Sequence, residues 1–353
     1  MDASIHPDRF QDHIPADPPE IWGLEKRGRP AVDHLPVSWT AENDTGLAKP
    51  RILFFNPVRH ALAAYEALGA VAKTEVVTSK SRKEFFKDVR QKYHNIQTIY
   101  RTSSSGVVAG PFDREFIEHL PSSLKYICYN GAGYDQIDIA ACTARGIAVT
   151  YAPDPVTEAT ADLTIFLLLG ALRQLNAALV PLRRGTFEKI LKWATIHRAR
   201  RWGSWEWVVS GVLSYVVCCP LGSSDILSIH VPLTASTRHL VGAAEISRMK
   251  RGAVLINTAR GAVVNEAAMA QALDDGHLAA VGLDVYEKEP EVHPGLVANE
   301  RTLLVPHLGT HTAETLCKME TLAMENARRA VCGEQLLTIV SEQLGKPILN
   351  DKR

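Results

Sequence analysis

The sequence predicts an α/β protein built on parallel β-sheets. Short apolar segments alternate with helical segments, first from Arg51 onward and again from Asp225 onward. Most apolar segments contain few polar residues until they end in a turn signal, which is typical of strands covered by helices on both faces. Because strands that alternate with helices form βαβ units, we expect neighbouring strands to be parallel.

The first half of the chain supplies five predicted strands. They lie at Arg51–Pro57, Thr74–Thr78, Gln97–Tyr100, Tyr126–Tyr129 and Ala148–Tyr151. A predicted helix at Ala61–Leu68 separates the first two strands. Residues Asp162–Leu175 are apolar nearly all round, so we expect a helix buried between two layers or two domains.

The second half supplies four more predicted strands, ILSIHVPL, AVLINTARG, LAAVGLDVY and TLLVPHLG, and an amphipathic helix at Glu314–Val331 closes the domain. Ligands of open parallel sheets bind just beyond the carboxyl ends of the strands. Four polar segments should therefore face one crevice: His230–Pro232, Asn257–Gly261, Asp284–Glu289 and His307–Thr310.

Composition excludes several classes of protein. Of the 353 residues, 46% are hydrophobic and 22% are charged, which excludes a disordered or fibrous chain. Lysine plus arginine equals aspartate plus glutamate at 39 each, so we expect no general polyanion or nucleic-acid partner. The six cysteines lack CxxC spacing, which predicts neither a metal site nor a disulfide framework and suits a reducing compartment.

We expect a soluble, cytoplasmic protein without a membrane partner. Residues 1–20 have no apolar core and so do not form a signal peptide. The longest nearly uncharged apolar run, Trp207–Gly222, is about four residues shorter than the roughly 20 needed to span a bilayer.

Three side chains at the strand ends have complementary chemistry. Arg260 could clamp a carboxylate with its bidentate guanidinium. His307 could exchange a proton with a carbonyl or hydroxyl, and Glu289 could orient that histidine and raise its pKa. Each residue alone could be an ordinary surface residue, but three such groups at one crevice favour a catalytic site.

Six segments carry recognisable motifs. NTARGAVVNE begins at Asn257, GLDVYEKEP at Gly282 and PHLGT at Pro306. NGAGYDQIDI begins at Asn130, ATADLTIFLLLGALR at Ala159 and LLTIV at Leu336. The first three resemble motifs of the D-isomer-specific 2-hydroxyacid dehydrogenases, and the last three resemble those of the fungal glyoxylate/hydroxypyruvate reductase branch of that family. The resemblance covers about residues 50–187 and 223–342, and it implies an α/β fold of two Rossmann-like lobes, a flavodoxin-like substrate lobe and an NAD(P)-binding lobe.

The same resemblance implies the site residues. Arg260 and the backbone amides of Ala132 and Gly133 would bind the substrate carboxylate, and His307, paired with Glu289, would donate and accept the proton. The implied cofactor-binding residues are Thr160, Pro232, Thr258, Asp284 and His307, with Asp284 holding the nicotinamide carboxamide.

The resemblance also implies a domain plan and a reaction. The implied plan is a substrate-binding domain at 49–155, which 312–345 completes, and an NAD(P)-binding domain at 156–311. Residues 1–48 lie outside the resemblance; their prolines, acids and lack of a sustained period predict a disordered extension. The implied reaction is the reduction of a small 2-keto acid, glyoxylate or hydroxypyruvate, to the D-2-hydroxy acid by NADH or NADPH. The implied assembly is a homodimer.

One expected motif is absent from the sequence. The family places GxGxxG, whose glycines let a pyrophosphate approach a helix N-terminus, before the SDIL strand, but the chain contains no GxGxxG. About 30–40 residues of that nucleotide-binding unit, its first βα unit, are expected to be missing around the aberrant segment 188–222. We therefore expect weak cofactor binding, and we expect the strands beside the gap to lose ladder partners.

The genetic code suggests a cause. Tryptophan has one codon, TGG, so a one-base shift across Trp202–Gly203, Trp205–Glu206 and Trp207–Val208 must give glycine each time. With permitted third bases elsewhere, Ala194–Gly211 then reads HDPQGTALGIVGMGGLG, a buried strand followed by GxGxxG. We hypothesise that this segment is translated out of frame; a divergent insertion is the alternative.

The sequence leaves other functions open. A phosphoglycerate dehydrogenase usually carries a further regulatory domain for which no length remains, and formate dehydrogenases replace the glutamate at position 289. A dinucleotide-sensing corepressor would share the fold and the three side chains. A catalytically inactive product of a damaged gene, or of a mis-drawn exon boundary, is the third alternative.

Overall fold

The structure is a computed structural model, and it describes residues 48–187, 202–206, 216–217 and 221–346, with the backbone alone for 202–206 and 216–217. The predicted extension at 1–48 lies outside the described residues apart from residue 48, as does most of the aberrant segment 188–222.

The described residues form eleven strands and eleven α-helices. The strands are β1 Arg51–Phe54, β2 Lys73–Val76, β3 Thr98–Thr102, β4 Tyr126–Asn130, β5 Ala148–Thr150, β6 Trp202–Glu206, β7 Val216–Val217, β8 Ile226–Ile229, β9 Ala253–Asn257, β10 Leu278–Leu283 and β11 Thr302–Leu304. The helices are α1 Leu62–Val71, α2 Arg82–Gln91, α3 Gly106–Ala109, α4 Arg114–His119, α5 Ile139–Ala144, α6 Thr157–Leu172, α7 Leu175–Arg183, α8 Ala243–Arg248, α9 Glu266–Asp274, α10 Pro294–Ala298 and α11 Ala313–Cys332.

The first sheet contains the five strands predicted for the first half of the chain. Its order is β2-β1-β3-β4-β5, and every pair is parallel. This is the flavodoxin-like order, in which the strand sequence reverses beside β1 and β3. The predicted α/β class with parallel strands is therefore confirmed for this part of the chain.

Helix α11 returns to the first sheet from the end of the chain. It packs on β3, β4 and α1. The buried Glu320 carboxylate of α11 accepts hydrogen bonds from the backbone N–H groups of Arg59, His60 and Ala61, which precede α1. Because three amides at a helix start have no partner within the helix, this carboxylate satisfies them and fixes α11 to the sheet.

The second sheet has the order β11-β10-β9-β8-β6-β7. Strands β8 to β11 are parallel, and β6 continues the parallel pairing, with Trp202 opposite Ile226 and Ser204 opposite Ser228. The short β7 pairs antiparallel with β6. The expectation that β8 would lose its ladder partner is therefore wrong, because residues of the aberrant segment supply a strand beside it.

Helix α6 is less buried than predicted. Leu167, Leu168 and Ala171 pack on the second sheet, but Ile165 and Leu169 on the other side are 53% and 56% exposed. An apolar sequence all round a helix does not reveal which face remains uncovered. No single helix in the described ranges is long and apolar enough to cross a membrane; α6 and α7 meet those criteria only as a pair, and they are bent by 76° at their junction.

Backbone hydrogen bonds bring the carboxyl ends of three strands together. The N–H of Asp284, after β10, donates to the carbonyl of Asn257 at 3.0 Å, and the N–H of His307, after β11, donates to the carbonyl of Asp284 at 2.8 Å. Three of the four predicted strand-end segments therefore meet at one edge of the second sheet, and β8, which precedes the fourth, pairs with β9 through Ile229 and Asn257.

Candidate active site

A histidine–glutamate pair lies at this edge. The Nδ1 atom of His307 is 2.8 Å from Oε2 of Glu289, and the other carboxylate oxygen accepts the backbone N–H of Tyr286 at 3.0 Å. Because Glu289 occupies Nδ1, Nε2 is the ring nitrogen that can exchange a proton with a ligand. The His307 side chain is 47% exposed, so a ligand can reach it.

The electrostatics of the pair stabilise both charged forms. The hydrogen bond and charge of Glu289 raise the pKa of His307, although burial and the charge of Arg260 oppose the rise. Burial alone would raise the pKa of Glu289, but the hydrogen bond and charge of His307, with smaller help from the Tyr286 amide and Arg260, lower it. His307 is therefore a stronger base than a free histidine, as the sequence predicts from a neighbouring carboxylate.

Asp284 fixes the loop that carries His307. Its carboxylate is almost fully buried and accepts the backbone N–H groups of Leu308 at 2.5 Å and Gly309 at 2.8 Å. Burial raises the pKa of Asp284 although these two hydrogen bonds oppose the rise. Asp284 thus holds the turn after His307. The φ of His307 is 54°, in the left-handed region, which few residues other than glycine adopt and in which asparagine, aspartate and histidine are the most frequent.

Arg260 reaches from the second sheet to the first. It follows β9, where the Asn257 side chain holds the turn by donating to the Arg260 carbonyl at 2.9 Å and accepting the Ala259 N–H at 3.0 Å. Its guanidinium donates from Nη2 to the Gly133 carbonyl at 2.9 Å and from Nε to Asp135 Oδ1 at 2.8 Å. Gly133 and Asp135 follow β4, so one side chain connects the two lobes.

The turn after β4 is shaped around this arginine. A Cβ atom on Gly133 would lie 1.6 Å from Nη2 of Arg260, so no side chain fits there without moving the guanidinium. Among the described residues, no carbonyl accepts the backbone N–H of Ala132 or of Gly133. These are the two amides that the family resemblance implies for binding a substrate carboxylate.

Thr160 and Thr258 lie at the same edge, and Pro232 lies farther along it. Thr160, on α6, donates to the Gly309 carbonyl at 3.3 Å, which places it beside the His307 loop. Thr258, after β9, is 2.8 Å from the hydroxyl of Thr164 on α6. Pro232 follows β8, and its carbonyl accepts the Thr237 hydroxyl at 2.7 Å rather than contacting the His307–Glu289 pair.

Sequence reasoning missed several residues that build the site. Glu266 accepts the backbone N–H of Glu287 at 2.6 Å, and Tyr286 donates its hydroxyl to the Val305 carbonyl at 2.9 Å, so both brace the loop of Glu289. Asp135 lies within the NGAGYDQIDI motif, but the sequence predicts no role for it. Its position two residues after Gly133 is visible in the sequence, whereas its contact with Arg260 joins residues that are far apart in the chain.

Comparisons with known proteins agree with this geometry. Residues 219–309 match the sequence profile described as D-isomer specific 2-hydroxyacid dehydrogenase, NAD binding domain. A 4-methyl-2-oxopentanoate reductase A of Aspergillus oryzae is 40% identical over 326 positions, which cover 83% of this chain and 98% of that protein. Since 83% of 353 residues is about 293, about 33 positions of that match have no residue here, in line with the expected gap of about 30–40.

Solved structures show the same two-lobed fold. A glyoxylate reductase from Paecilomyes thermophila matches with a TM-score of 0.78 and 37% identity, covering 84% of this chain and all of that one. An NADPH-dependent glyoxylate/hydroxypyruvate reductase from Sinorhizobium meliloti, in complex with NADP and malonate, matches with a TM-score of 0.70 and 27% identity over 84% of this chain and 98% of that one. The chain therefore belongs to the D-isomer specific 2-hydroxyacid dehydrogenase family, whose members are NAD(P)-dependent oxidoreductases.

Proposed function

We propose that this protein reduces glyoxylate or hydroxypyruvate to the corresponding D-2-hydroxy acid, with NADH or NADPH as the reductant. The observation that carries the proposal is the His307–Glu289 pair, 2.8 Å apart, at the strand edge where Arg260 meets the Gly133 turn. This edge offers a proton donor and a carboxylate clamp, which are the two groups that reduction of a 2-keto acid requires of the protein.

His307 supplies the proton in this proposal. Its raised pKa keeps the imidazole protonated up to a higher pH than in a free histidine, so Nε2 can protonate the forming alkoxide. Glu289 holds the ring by Nδ1 and stabilises the imidazolium by its charge. In the direction of oxidation, the neutral ring takes the hydroxyl proton back.

Arg260 and the turn after β4 bind the substrate carboxylate in this proposal. A guanidinium has five N–H donors, and Arg260 uses three of them on Asp135, Gly133 and Ala259. Within the described part of the chain, one donor on each Nη atom remains, which suits a bidentate bond to a carboxylate. The amides of Ala132 and Gly133 add two donors from the other lobe.

The residues at the strand edge fit the nicotinamide end of the cofactor. Asp284, Thr160 and Thr258 present polar atoms at the carboxyl ends of parallel strands, where dinucleotides bind. We propose that they and Pro232 line the cofactor together with His307. A reduced nicotinamide bound there would supply the hydride.

The domain plan predicted from the sequence stays part of the proposal. We assign substrate binding to 49–155 with 312–345, and cofactor binding to 156–311. The packing of α11 on β3, β4 and α1 supports the return of the last segment to the first lobe.

Oxidation of NADH and of NADPH by the full chain tests the proposal with three acceptors: glyoxylate, hydroxypyruvate and 4-methyl-2-oxopentanoate. The third acceptor tests a bulkier side chain, which the name of the Aspergillus relative suggests. We expect the two small acceptors to give the higher kcat/KM. A preference for 4-methyl-2-oxopentanoate would overturn the substrate assignment while leaving the reaction type intact.

We also propose that two copies of the chain associate through α6 and α7. Ile165, Phe166, Leu169 and Leu182 are each about half exposed, between 48% and 56%, so a large apolar surface faces outward. Exposed apolar patches of this kind mark interfaces. Light scattering should give the mass of a dimer for the parent chain, and Phe166→Glu should give a monomer; a monomeric parent would contradict the assignment.

A further inference from the structure

The ion pair between Arg260 and Asp135 is not explained by the reaction alone. Nε of Arg260 lies 2.8 Å from Oδ1 of Asp135, and the two side chains are only 26% and 22% exposed. Arg260 follows β9 of the second sheet, whereas Asp135 follows β4 of the first. The pair therefore spans the crevice between the lobes.

The hydrogen bonds of the Arg260 guanidinium fix its orientation. Asp135 and the Gly133 carbonyl take Nε and Nη2, and the Ala259 carbonyl takes Nη1. The plane of the guanidinium is thereby fixed by acceptors from both lobes. Among the described residues no further acceptor takes these groups, so one donor on Nη1 and one on Nη2 are left for a ligand, and the protein contacts determine where a carboxylate can bind.

Asp135 also acts on a second guanidinium, that of Arg101. Arg101 is fully buried at the end of β3, and its Nε and Nη1 atoms have no hydrogen-bond partner among the described residues. Its guanidinium lies 4.1 Å from the Phe112 ring centroid and 5.3 Å from that of Tyr129. Asp135 acts on Arg101 through its charge and on Arg260 through charge and a hydrogen bond, so it compensates two cations.

We propose that Asp135 is a positioning residue: it holds Arg260 across the crevice in the orientation that binds the substrate carboxylate. The inference rests on the proposed function, because it names the residue that orients the clamp of that same site. Asp135 does not touch the substrate in this role and acts through Arg260.

Two possible roles of Asp135 predict opposite changes in KM when Asp135 is removed. If Asp135 were only a competing negative charge, its removal would strengthen the binding of an anionic substrate to Arg260. If it positions the guanidinium, its removal lets Arg260 leave the productive orientation and weakens that binding. The direction of the change in KM therefore separates the two roles.

The test compares Asp135→Ala and Asp135→Asn with the parent full chain. We would measure kcat and KM for glyoxylate with NADPH, and the Kd of oxamate, an unreactive analogue with the same carboxylate and carbonyl, by calorimetry. Glu118→Gln is the matched control, because it removes one exposed negative charge from α4 of the same lobe. Thermal unfolding of each variant shows whether it is folded.

We expect Asp135→Ala to raise the KM for glyoxylate and the Kd of oxamate on the order of tenfold, the scale of losing a hydrogen bond to a charged group. The kcat should fall less than KM rises, because His307 and Glu289 are untouched. Asp135→Asn keeps an oxygen that can accept from Nε, so it should recover part of the loss, and Glu118→Gln should change neither constant.

Three results would decide against the proposal. An unchanged or lower KM and Kd in a folded Asp135→Ala protein overturns the positioning role while leaving the proposed function standing. Equal losses in Glu118→Gln overturn it as well, because the effect is then one of overall charge. A parent chain that neither binds oxamate nor reduces any 2-keto acid overturns the proposed function and this inference together.

Discussion

Glu289 holds His307 by Nδ1 at 2.8 Å and, with its second oxygen, holds the Tyr286 amide at 3.0 Å. One carboxylate thus joins the loop after β10 to the loop after β11. Because the hydrogen bond raises the pKa of His307 and lowers that of Glu289, the pair links the pH dependence of activity to that of stability.

We predict that Glu289→Gln will move the pH profile of reduction toward acid. Reduction needs protonated His307, so kcat/KM falls as pH rises through the pKa of that histidine. The parent pKa is raised chiefly by the Glu289 hydrogen bond, so the variant should lose activity at a lower pH. The rate of the reverse reaction, oxidation, rises with pH through the same pKa, and this rise should also move to a lower pH in the variant. Glu291→Gln, two residues away and exposed, is the control; a variant profile that overlays the parent would show that Glu289 is structural.

The His307–Glu289 pair should also make the stability of the protein depend on pH. The raised pKa of His307 contributes stability that is present below about 6.5, its unfolded value, and is lost as pH rises through the folded pKa. The lowered pKa of Glu289 contributes stability that is present above about 4.5 and is lost as pH falls through the folded pKa. The difference in melting temperature between parent and Glu289→Gln should therefore be largest between about pH 4.5 and 6.5. A difference that does not vary with pH would contradict this linkage.

We predict that His307→Asn will lose at least about a hundredfold in kcat, the usual scale for a general acid, and will stay folded, losing only the stability that the pair with Glu289 contributes. Asparagine tolerates the left-handed backbone at φ 54° better than most residues, so the loop should keep its shape. His307→Ala should lose the same activity. Circular dichroism melting curves and kcat values measure the two effects, and a variant that keeps more than a tenth of the parent kcat would remove His307 from the proposed role.

We predict that Gly133→Ala will weaken substrate binding while leaving the protein folded. The new methyl group would lie 1.6 Å from Nη2 of Arg260, and a flexible side chain yields more easily than backbone, so the guanidinium should move. The KM for glyoxylate should rise on the order of tenfold, as it should in Arg260→Lys, which replaces the fork by a point charge. Gly69→Ala, where no atom lies within 4 Å of the added methyl group, is the control and should leave KM unchanged.

The sequence predicted nine of the eleven described strands and the position of Glu289 and His307 at one strand edge, because both depend on local pattern. It did not predict β6 and β7, which come from the segment where a gap was expected. Buried strands and the residues that end them are adjacent in the chain, so Glu289 and His307 could be placed at one edge. It did not predict the exposed face of α6, since an apolar helix does not show which side lacks a neighbour. Nor did it predict a role for Asp135, because the partner, Arg260, is 125 residues away and in the other lobe.

Strand β6 lies where a cofactor-binding strand of the shifted reading frame would lie. Trp202–Glu206 pairs parallel with β8 and so ends at the edge where Asp284 and His307 lie. In the shifted frame, the segment GIVG falls on these same positions, and its last glycine, at the junction of Trp205 and Glu206, begins GxGxxG. The backbone thus puts this strand in the place where a pyrophosphate-binding turn should follow it.

We therefore expect weak NADPH binding by the given chain and tighter binding after the shifted frame and the missing unit are restored. Only the restored version offers glycines that let a pyrophosphate approach the backbone at a helix N-terminus. Fluorescence titration of the two versions at equal concentration measures the difference, and sequencing of the transcript across codons 188–225 tests its cause. Equally tight binding by the given chain would mean that residues 188–222 hold the cofactor in their own way, and an uninterrupted in-frame transcript would exclude the frameshift.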